Sequence, residues 1–138
     1  MDYKLIGHRS LSGGSSSFAK TKCVAVGASA GIRNNTNCVA IGANAALYME
    51  GGGNVAIGMD AMNNYDVDGQ NNICIGHSAK LHSKSVPATI ENSIAIGYNV
   101  EVSDSNQIII GSSSHAVVEI AGKRIIFNED GSVTWEQV

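Results

Sequence analysis

Residues 54–61 read NVAIGMDA, and this stretch contains the pattern from which the fold is inferred. In an extended strand successive side chains point to opposite faces, so Val55 and Ile57 lie on one face and the alanine between them on the other. Gly58 is suited to end the strand because glycine adopts a positive φ without a Cβ clash. Asp60, two positions later, is typical of a tight turn. The stretch predicts a short strand with one bulky and one small face, followed by a turn.

The same unit occurs six times along the chain. Its glycines are 15, 16, 18, 21 and 14 residues apart, and a degenerate relative, KLIGHRSL, surrounds Gly7. Self-similar units at such intervals indicate a stacked architecture. The aligned glycines are Gly27, Gly42, Gly58, Gly76, Gly97 and Gly111. The bulky strand residues of four of the units are Val39, Ile41, Val55, Ile57, Ile73, Ile75, Ile94 and Ile96.

Each unit is long enough for about one coil of a narrow, two-sided solenoid. A second, less regular strand is expected after the turn, as at residues 45–48 and 100–102. The prediction is an all-β solenoid of about six coils, with two or three bulky apolar residues of each coil pointing inward. The residues expected at the turn are Ser29, Asn44, Asp60, Ser78 and Asn99.

A solenoid this narrow has a small hydrophobic core relative to its solvent-accessible surface. Ordering each residue costs about 1–2 kcal/mol of backbone entropy, whereas fully burying a valine or isoleucine recovers roughly 1.5–3 kcal/mol. A single roll is therefore marginally stable, and we expect copies to associate along a second apolar face. The low content of charged residues, 15%, agrees with extensive burial.

The composition excludes several classes of function. A net charge of -3 gives no basis for electrostatic capture of nucleic acid or of an anionic membrane. The apolar runs are too short for a transmembrane helix, and the N-terminus lacks the pattern of a secretory signal. Cys23, Cys38 and Cys74 form no CxxC pair and are expected to be reduced thiols in small buried slots.

The regular unit divides the chain into three segments. Residues 1–22 lack it and contain a Ser/Gly-rich stretch, which predicts a docking or connector segment. Residues 23–115 form the repeats, and the two longer intervals, 62–72 and 80–92, are interpreted as surface loops. Residues 116–138 contain three short apolar stretches separated by glycine turns, which predicts a C-terminal β-hairpin or meander.

The repeated N/S-V-A-I-G-x-x-A unit resembles the left-handed parallel β-roll of trimeric autotransporter adhesin heads, and of the phage fibre and tail-spike proteins that are similar to them. The resemblance covers about residues 23–114. It implies a parallel homotrimer of left-handed β-rolls, in which the apolar faces build a shared interior and the loops point outward.

The flanking segments favour a phage fibre over a bacterial adhesin. The sequence shows no heptads of a stalk and no amphipathic membrane strands, and its cysteines suit a reducing cytoplasm. The C-terminal VEIAGKRIIFNEDGSVTWE looks similar to the β-hairpin tips that close phage fibres.

We therefore expect a non-enzymatic virion fibre, made in the host cytoplasm and located on the tail or head of the particle. It would be a homotrimer that docks on a capsid or tail protein through residues 1–22 and contacts a host surface glycan. No binding to nucleic acid and no insertion into a membrane are expected. A capsid or tail decoration protein without a host ligand is the alternative.

An enzyme is the least favoured hypothesis. IGANAA, IGHSAK and IGYNVE resemble the hexapeptide unit of left-handed β-helix acyltransferases, which use a histidine as general base, here His77. Hexapeptide coils need apolar residues every six positions, and only the 18-residue glycine interval is a multiple of six. We therefore interpret His77 as a turn residue and predict no catalytic, cofactor or metal site.

Two further patterns are weaker. Asp60, Asp66 and Asp68 carry oxygens that suit Ca²⁺, but they lack the full spacing of a calcium loop. Cys23 and Cys38 occupy equivalent positions, so adjacent coils would stack them at about the 4.8 Å strand spacing, which permits a disulfide. We interpret each cysteine as a small residue that fills a slot of the coil.

Overall fold

The structure, a computed structural model, describes residues 4–8, 22–31, 35–63, 67–82, 88–112, 117–120, 123–127 and 132–137. Within these ranges the chain is all-β, and no helix occurs that is long and apolar enough to cross a membrane. The strands, in chain order, are β1 (Lys4–Ile6), β2 (Val24–Val26), β3 (Asn35–Thr36), β4 (Val39–Ile41), β5 (Gly51–Gly52), β6 (Val55–Ile57), β7 (Val67–Gln70), β8 (Ile73–Ile75), β9 (Lys80–Leu81), β10 (Ala88–Glu91), β11 (Ile94–Ile96), β12 (Glu101–Val102), β13 (Ile108–Ile110), β14 (Val117–Ile120), β15 (Lys123–Phe127) and β16 (Val133–Gln137).

Seven strands form a parallel sheet in the order β1-β2-β4-β6-β8-β11-β13. The strands from β2 onward are the apolar triplets of the six predicted units, and each pairs with the next without a slip in register. Val39 pairs with Val55, for example, and Ile41 with Ile57. Parallel stacking of consecutive units makes the chain a parallel β-solenoid, as the alignment on glycine predicted.

Strand β1 extends this sheet beyond the six units. Lys4 pairs with Val24 and Ile6 with Val26. The backbone N–H of Gly27 donates to the Ile6 carbonyl at 2.7 Å. The degenerate unit around Gly7 is thus part of the solenoid, although it lies within residues 1–22, which the sequence suggested to be a connector.

The return side of the solenoid is shorter and less regular than the main sheet. Strands β3 and β5 pair with each other, as do β7 and β10. Strands β9 and β12 form a third pair. The solenoid has about four turns, so the expectation of about six coils is wrong. The main sheet has more strands than the return side because short turns, rather than strands, close part of the return side.

Two local expectations for the return side need correction. Residues 45–48, expected to be a strand, form a turn in which Ala46 has a φ of 52°. The intervals interpreted as surface loops contain the return strands β7, β9 and β10. The remainder of those loops, residues 64–66 and 83–87, lies outside the described residues.

The solenoid interior is lined by small side chains from the main sheet. From β2 onward the central residue of each strand points inward, whereas the bulky pairs, such as Val55 and Ile57, point outward and are half-buried or exposed. The expectation that the bulky residues fill the interior is wrong, because larger side chains from the rest of the coil, such as Met49 and Leu81, already fill the core beside these small residues. The inward sheet residues are Ala25, Ala40, Ala56, Cys74 and Ala95. The largest buried side chains are Met49, Met62, Leu81, Ile90 and Val102.

Each coil bends at two corners, and most of the residues that adopt a positive φ there are not glycines. The predicted turn residues Ser29, Asn44, Asp60, Ser78 and Asn99 have φ between 52° and 58°, which confirms the turn after the first five aligned glycines. A second corner precedes the strand and was not predicted. Its residues, with φ between 54° and 71°, are Lys22, Asn37, Gly53, Asn71, Asn92 and Asn106.

The C-terminal segment forms its own antiparallel sheet in the order β14-β15-β16. The sequence predicts three strands there, Val117–Ile120, Arg124–Phe127 and Ser132–Gln137, and the structure confirms them to within one residue at each end. Ile125 pairs with Trp135, whose side chain is 68% exposed. The predicted turns between these strands lie outside the described residues.

Candidate interaction surface

Twelve bulky side chains form a continuous apolar surface, here named the outer ribbon, on the outside of the main sheet. In-register pairing stacks them in two columns, one from the first and one from the third residue of each strand. The first column holds Val24, Val39, Val55, Ile73, Ile94 and Ile108, and the second holds Val26, Ile41, Ile57, Ile75, Ile96 and Ile110.

The outer ribbon is apolar from end to end and reaches solvent along its whole length. Every one of its side chains is half-buried or exposed, and the last coil is the most open, with Ile108 69% and Ile110 55% exposed. The central coils are less exposed because neighbours within a column cover one another. Contiguous exposed apolar surfaces of this kind mark interaction sites in soluble proteins. The eight bulky residues singled out from the sequence all lie in this ribbon.

The aligned glycines form a column along one edge of the outer ribbon. From Gly27 to Gly97 they have φ between 127° and 135°, and Gly111 has a φ of 82°. A Cβ on Gly58 would lie 2.6 Å from the carbonyl oxygen of Gly76 one coil away. Both the backbone conformation and the close stacking exclude a side chain at this edge.

A ladder of buried polar side chains joins the coils just before the strands begin. Asn54 Nδ2 donates to the Gly69 carbonyl at 2.7 Å, and Asn54 Oδ1 accepts from the Asn72 backbone N–H at 2.9 Å. Asn72 repeats the arrangement with the Ile90 carbonyl at 2.7 Å and the Ser93 N–H at 2.9 Å. The sequence reasoning missed this ladder, although the Asn or Ser that precedes several of the apolar triplets was a signal for it.

Cys23 and Cys38 occupy this ladder position in the preceding coils. Cys23 Sγ donates to Cys38 Sγ at 3.4 Å, and both side chains are buried. The contact with Cys23 and then burial raise the pKa of the Cys38 thiol. Cys74 lies elsewhere, in the alanine position of β8, where burial raises its pKa to about 12. All three cysteines are thiols, in small buried slots as expected.

His77 and Tyr98 follow successive glycines of the column and lie at an outer corner. Their ring centroids are 5.4 Å apart at an interplanar angle of 59°, and Tyr98 is exposed. Met59, at the same position one coil earlier, is exposed as well. His77 therefore lies in a turn, beside an aromatic ring.

The aspartates considered as calcium ligands are not assembled into one site in the part of the chain that the structure describes. Asp60 Oδ1 accepts from Asn44 Nδ2 at 2.9 Å and from Asn63 Nδ2 at 3.1 Å, which stabilises a corner. Asp68 lies on β7, and Asp66 is outside the described residues. Among the residues described, no three His, Cys, Asp or Glu side chains lie together in a way that could hold a metal ion.

The fold and this surface define a parallel β-solenoid whose main sheet carries an apolar outer face. Comparisons with protein-family models, with curated proteins and with solved structures found no match to the chain.

Proposed function

We propose that the protein is a non-enzymatic structural fibre, a homotrimer of left-handed parallel β-rolls that forms part of a phage virion. The observation that carries the proposal is the outer ribbon, which is apolar along every coil and solvent-accessible on the single chain. Three rolls facing a common axis would bury it. The number of copies and the handedness rest on the resemblance of the repeated unit to β-rolls of adhesin heads and phage fibres.

Covering the outer ribbon supplies stability that the narrow interior lacks. Fully burying a valine or isoleucine is worth about 1.5–3 kcal/mol. Half of that gain over twelve side chains is on the order of 10 kcal/mol per chain, comparable with the whole stability of a typical domain. The inward-facing side chains of the main sheet, mostly alanines, bury much less apolar area than the ribbon would. Association is therefore the source of stability that best fits this distribution of side chains.

The distribution of charge also favours burial of the outer ribbon. None of the twelve side chains of the ribbon is charged. Lys80 and Glu101, in contrast, form a 2.7 Å ion pair between β9 and β12 on the return side. Asp68 on β7 is exposed to solvent. In a trimer closed on the ribbon, these charged groups would remain in water, where they need no further partner.

In this proposal residues 1–22 dock the fibre on a capsid or tail protein, and the C-terminal sheet and outer corners face the environment. Because the trimer carries three identical copies, weak contacts of each copy with a host surface glycan add up to a higher overall affinity. Tyr98 and Trp135, both exposed, offer aromatic contact area at low entropic cost. A decoration protein without a host ligand would share the assembly and lack this contact.

Two aspartate variants test the assembly, one with the carboxylate on the outer ribbon and one with the carboxylate outside it. Ile57→Asp should abolish the trimer, because an unpaired carboxylate would be buried between copies. Met59→Asp, at an exposed outer corner beside the ribbon, should leave it intact. Native mass spectrometry of both variants gives the answer, and a normal trimer of Ile57→Asp would contradict the proposed interface.

The virion assignment is tested by locating the chain on purified particles with gold-labelled antibody and electron microscopy. We expect label on a fibre of the head or tail, and its loss when residues 1–16, which include β1, are deleted. Trimer formation by the truncated chain is the control that separates loss of docking from loss of the strand that β1 adds to the main sheet. Normal incorporation of the truncated chain would contradict docking through the N-terminal segment. Absence of the chain from purified particles would contradict the virion assignment itself.

A further inference from the structure

Cys23 and Cys38 are neighbouring thiols at equivalent positions of adjacent coils. The residues that follow them, Val24 and Val39, are direct partners in the main sheet. The backbone N–H of Val24 donates to the Cys38 carbonyl at 2.9 Å, which fixes the two backbones side by side. The two Sγ atoms are 3.4 Å apart.

The stacking of these two positions brings their backbones to a separation at which disulfides occur. Neighbouring strands lie about 4.8 Å apart, within the roughly 4.4–6.8 Å that separate the Cα atoms of disulfide-bonded cysteines. The thiol of Cys23 faces Cys38, and bond formation requires the two Sγ atoms to approach further. Cys74 has no such neighbour, since its register partners are Ala56 and Ala95.

We propose that Cys23 and Cys38 are a redox modification site, at which a cross-coil disulfide forms by exchange with a small-molecule disulfide such as oxidised glutathione. One cysteine, as thiolate, attacks the reagent, forms a mixed disulfide and releases one reagent thiol. The second cysteine then attacks the protein sulfur of the mixed disulfide and releases the other reagent thiol. Two cysteine thiols are oxidised and one reagent disulfide is reduced, and the two cysteine protons end on the released thiols.

Burial determines when this exchange occurs. The two side chains are only 2% and 4% exposed, and the raised pKa of Cys38 keeps its thiolate scarce in the folded roll. Exchange therefore proceeds during folding or when the coil opens locally. The bond then links residues 15 positions apart, about one coil, and fixes the second strand of the sheet to the third.

The test refolds the full chain with and without oxidised glutathione and maps its cysteines under non-reducing conditions. Cleavage after Lys22 and Arg33 by trypsin, and after Glu50 by a Glu-specific protease, places the three cysteines on three different peptides. After oxidative refolding we expect peptide 23–33 joined to peptide 34–50, lighter by two hydrogen atoms than the separate peptides.

Variants separate this bond from unspecific oxidation. Cys23→Ser should abolish the linkage, and Cys74→Ser should leave it unchanged. The oxidised chain should melt about 10 °C above the reduced chain, and Cys38→Ser should remove that difference. A linkage to Cys74, a linkage between two chains, or no linked peptide after oxidative refolding would overturn the proposal.

Discussion

The backbone N–H of Asn72 donates a hydrogen bond to the side-chain oxygen of Asn54, one coil away, at 2.9 Å. The amide nitrogen of the same Asn54 side chain donates to the Gly69 carbonyl at 2.7 Å. Each bond satisfies a buried backbone group that water does not reach. These bonds hold neighbouring coils in one register, and that register makes the outer ribbon a continuous surface.

Replacing Asn72 with alanine tests the ladder. The change removes the bonds of its side chain to the Ile90 carbonyl and the Ser93 N–H and leaves both groups buried and unsatisfied. We expect the free energy of unfolding to fall by about 2–4 kcal/mol. Gln70→Ala, at an exposed position of the preceding strand, should cost less than about 0.5 kcal/mol. Chemical denaturation measures both, and equal losses would mean that the ladder adds no stability.

Gly58→Ala tests the glycine column. The new Cβ would lie 2.6 Å from the Gly76 carbonyl oxygen at a residue with a φ of 127°, so strain and steric clash combine. We expect a loss of about 3 kcal/mol or more in the free energy of unfolding. Met59→Ala, an exposed neighbour, is the matched control and should change little. An unchanged melting temperature of Gly58→Ala would be incompatible with this stacking.

The ion pair between Lys80 and Glu101 predicts a small dependence of stability on pH. The hydrogen bond from Lys80 holds the pKa of Glu101 below its ordinary value of 4.5. Because the pKa is lowered in the folded chain, the stabilisation is present above 4.5 and is lost as the pH falls through the lower folded value. Both side chains are partly exposed, so its size is less than about 1 kcal/mol.

Glu101→Gln should therefore lower the free energy of unfolding slightly at neutral pH. The difference from the wild-type chain should vanish in acid well below the ordinary pKa, and it should shrink in high salt. Denaturation curves of the two chains across this pH range provide the measurement. A difference that persists unchanged in acid would show that the carboxylate charge is not its cause.

Cys74 should resist alkylation in the native chain. Burial raises its pKa from 9.0 to about 12, so the folded chain keeps the proton over a range in which the unfolded chain loses it. Stability should therefore decline as the pH rises above 9.0. At about pH 8 an alkylating reagent should modify Cys74 only after unfolding in denaturant. Mass spectrometry detects the adduct, and its rapid formation in the native chain would contradict the interior position.

The strands and corners could be predicted from the sequence because they depend on local chemistry. Alternation in Val55-Ala56-Ile57 defines two faces, and the glycine that follows marks the end of the strand. Asp60 adopts a φ of 55°, as expected of a residue type that tolerates the left-handed conformation. These features need no knowledge of the neighbouring coils.

The direction of the two faces could not be predicted in the same way. Alternation separates Ala56 from Val55 and Ile57 but leaves open which face points inward, and that choice depends on the side chains that the rest of the coil brings into the core. The role of Asn54 was missed for a related reason, because its partner Asn72 is 18 residues away along the chain. Only the stacking of the coils brings such pairs together.

The mass of the full chain in solution tests the central claim, that the outer ribbon is an interface between copies, most directly. Native mass spectrometry or light scattering at micromolar concentration should give an assembly of three 14.3 kDa chains. The circular dichroism of the same sample should show β structure, as the all-β fold requires. A well-folded monomer at that concentration, with the outer ribbon left in water, would contradict the account.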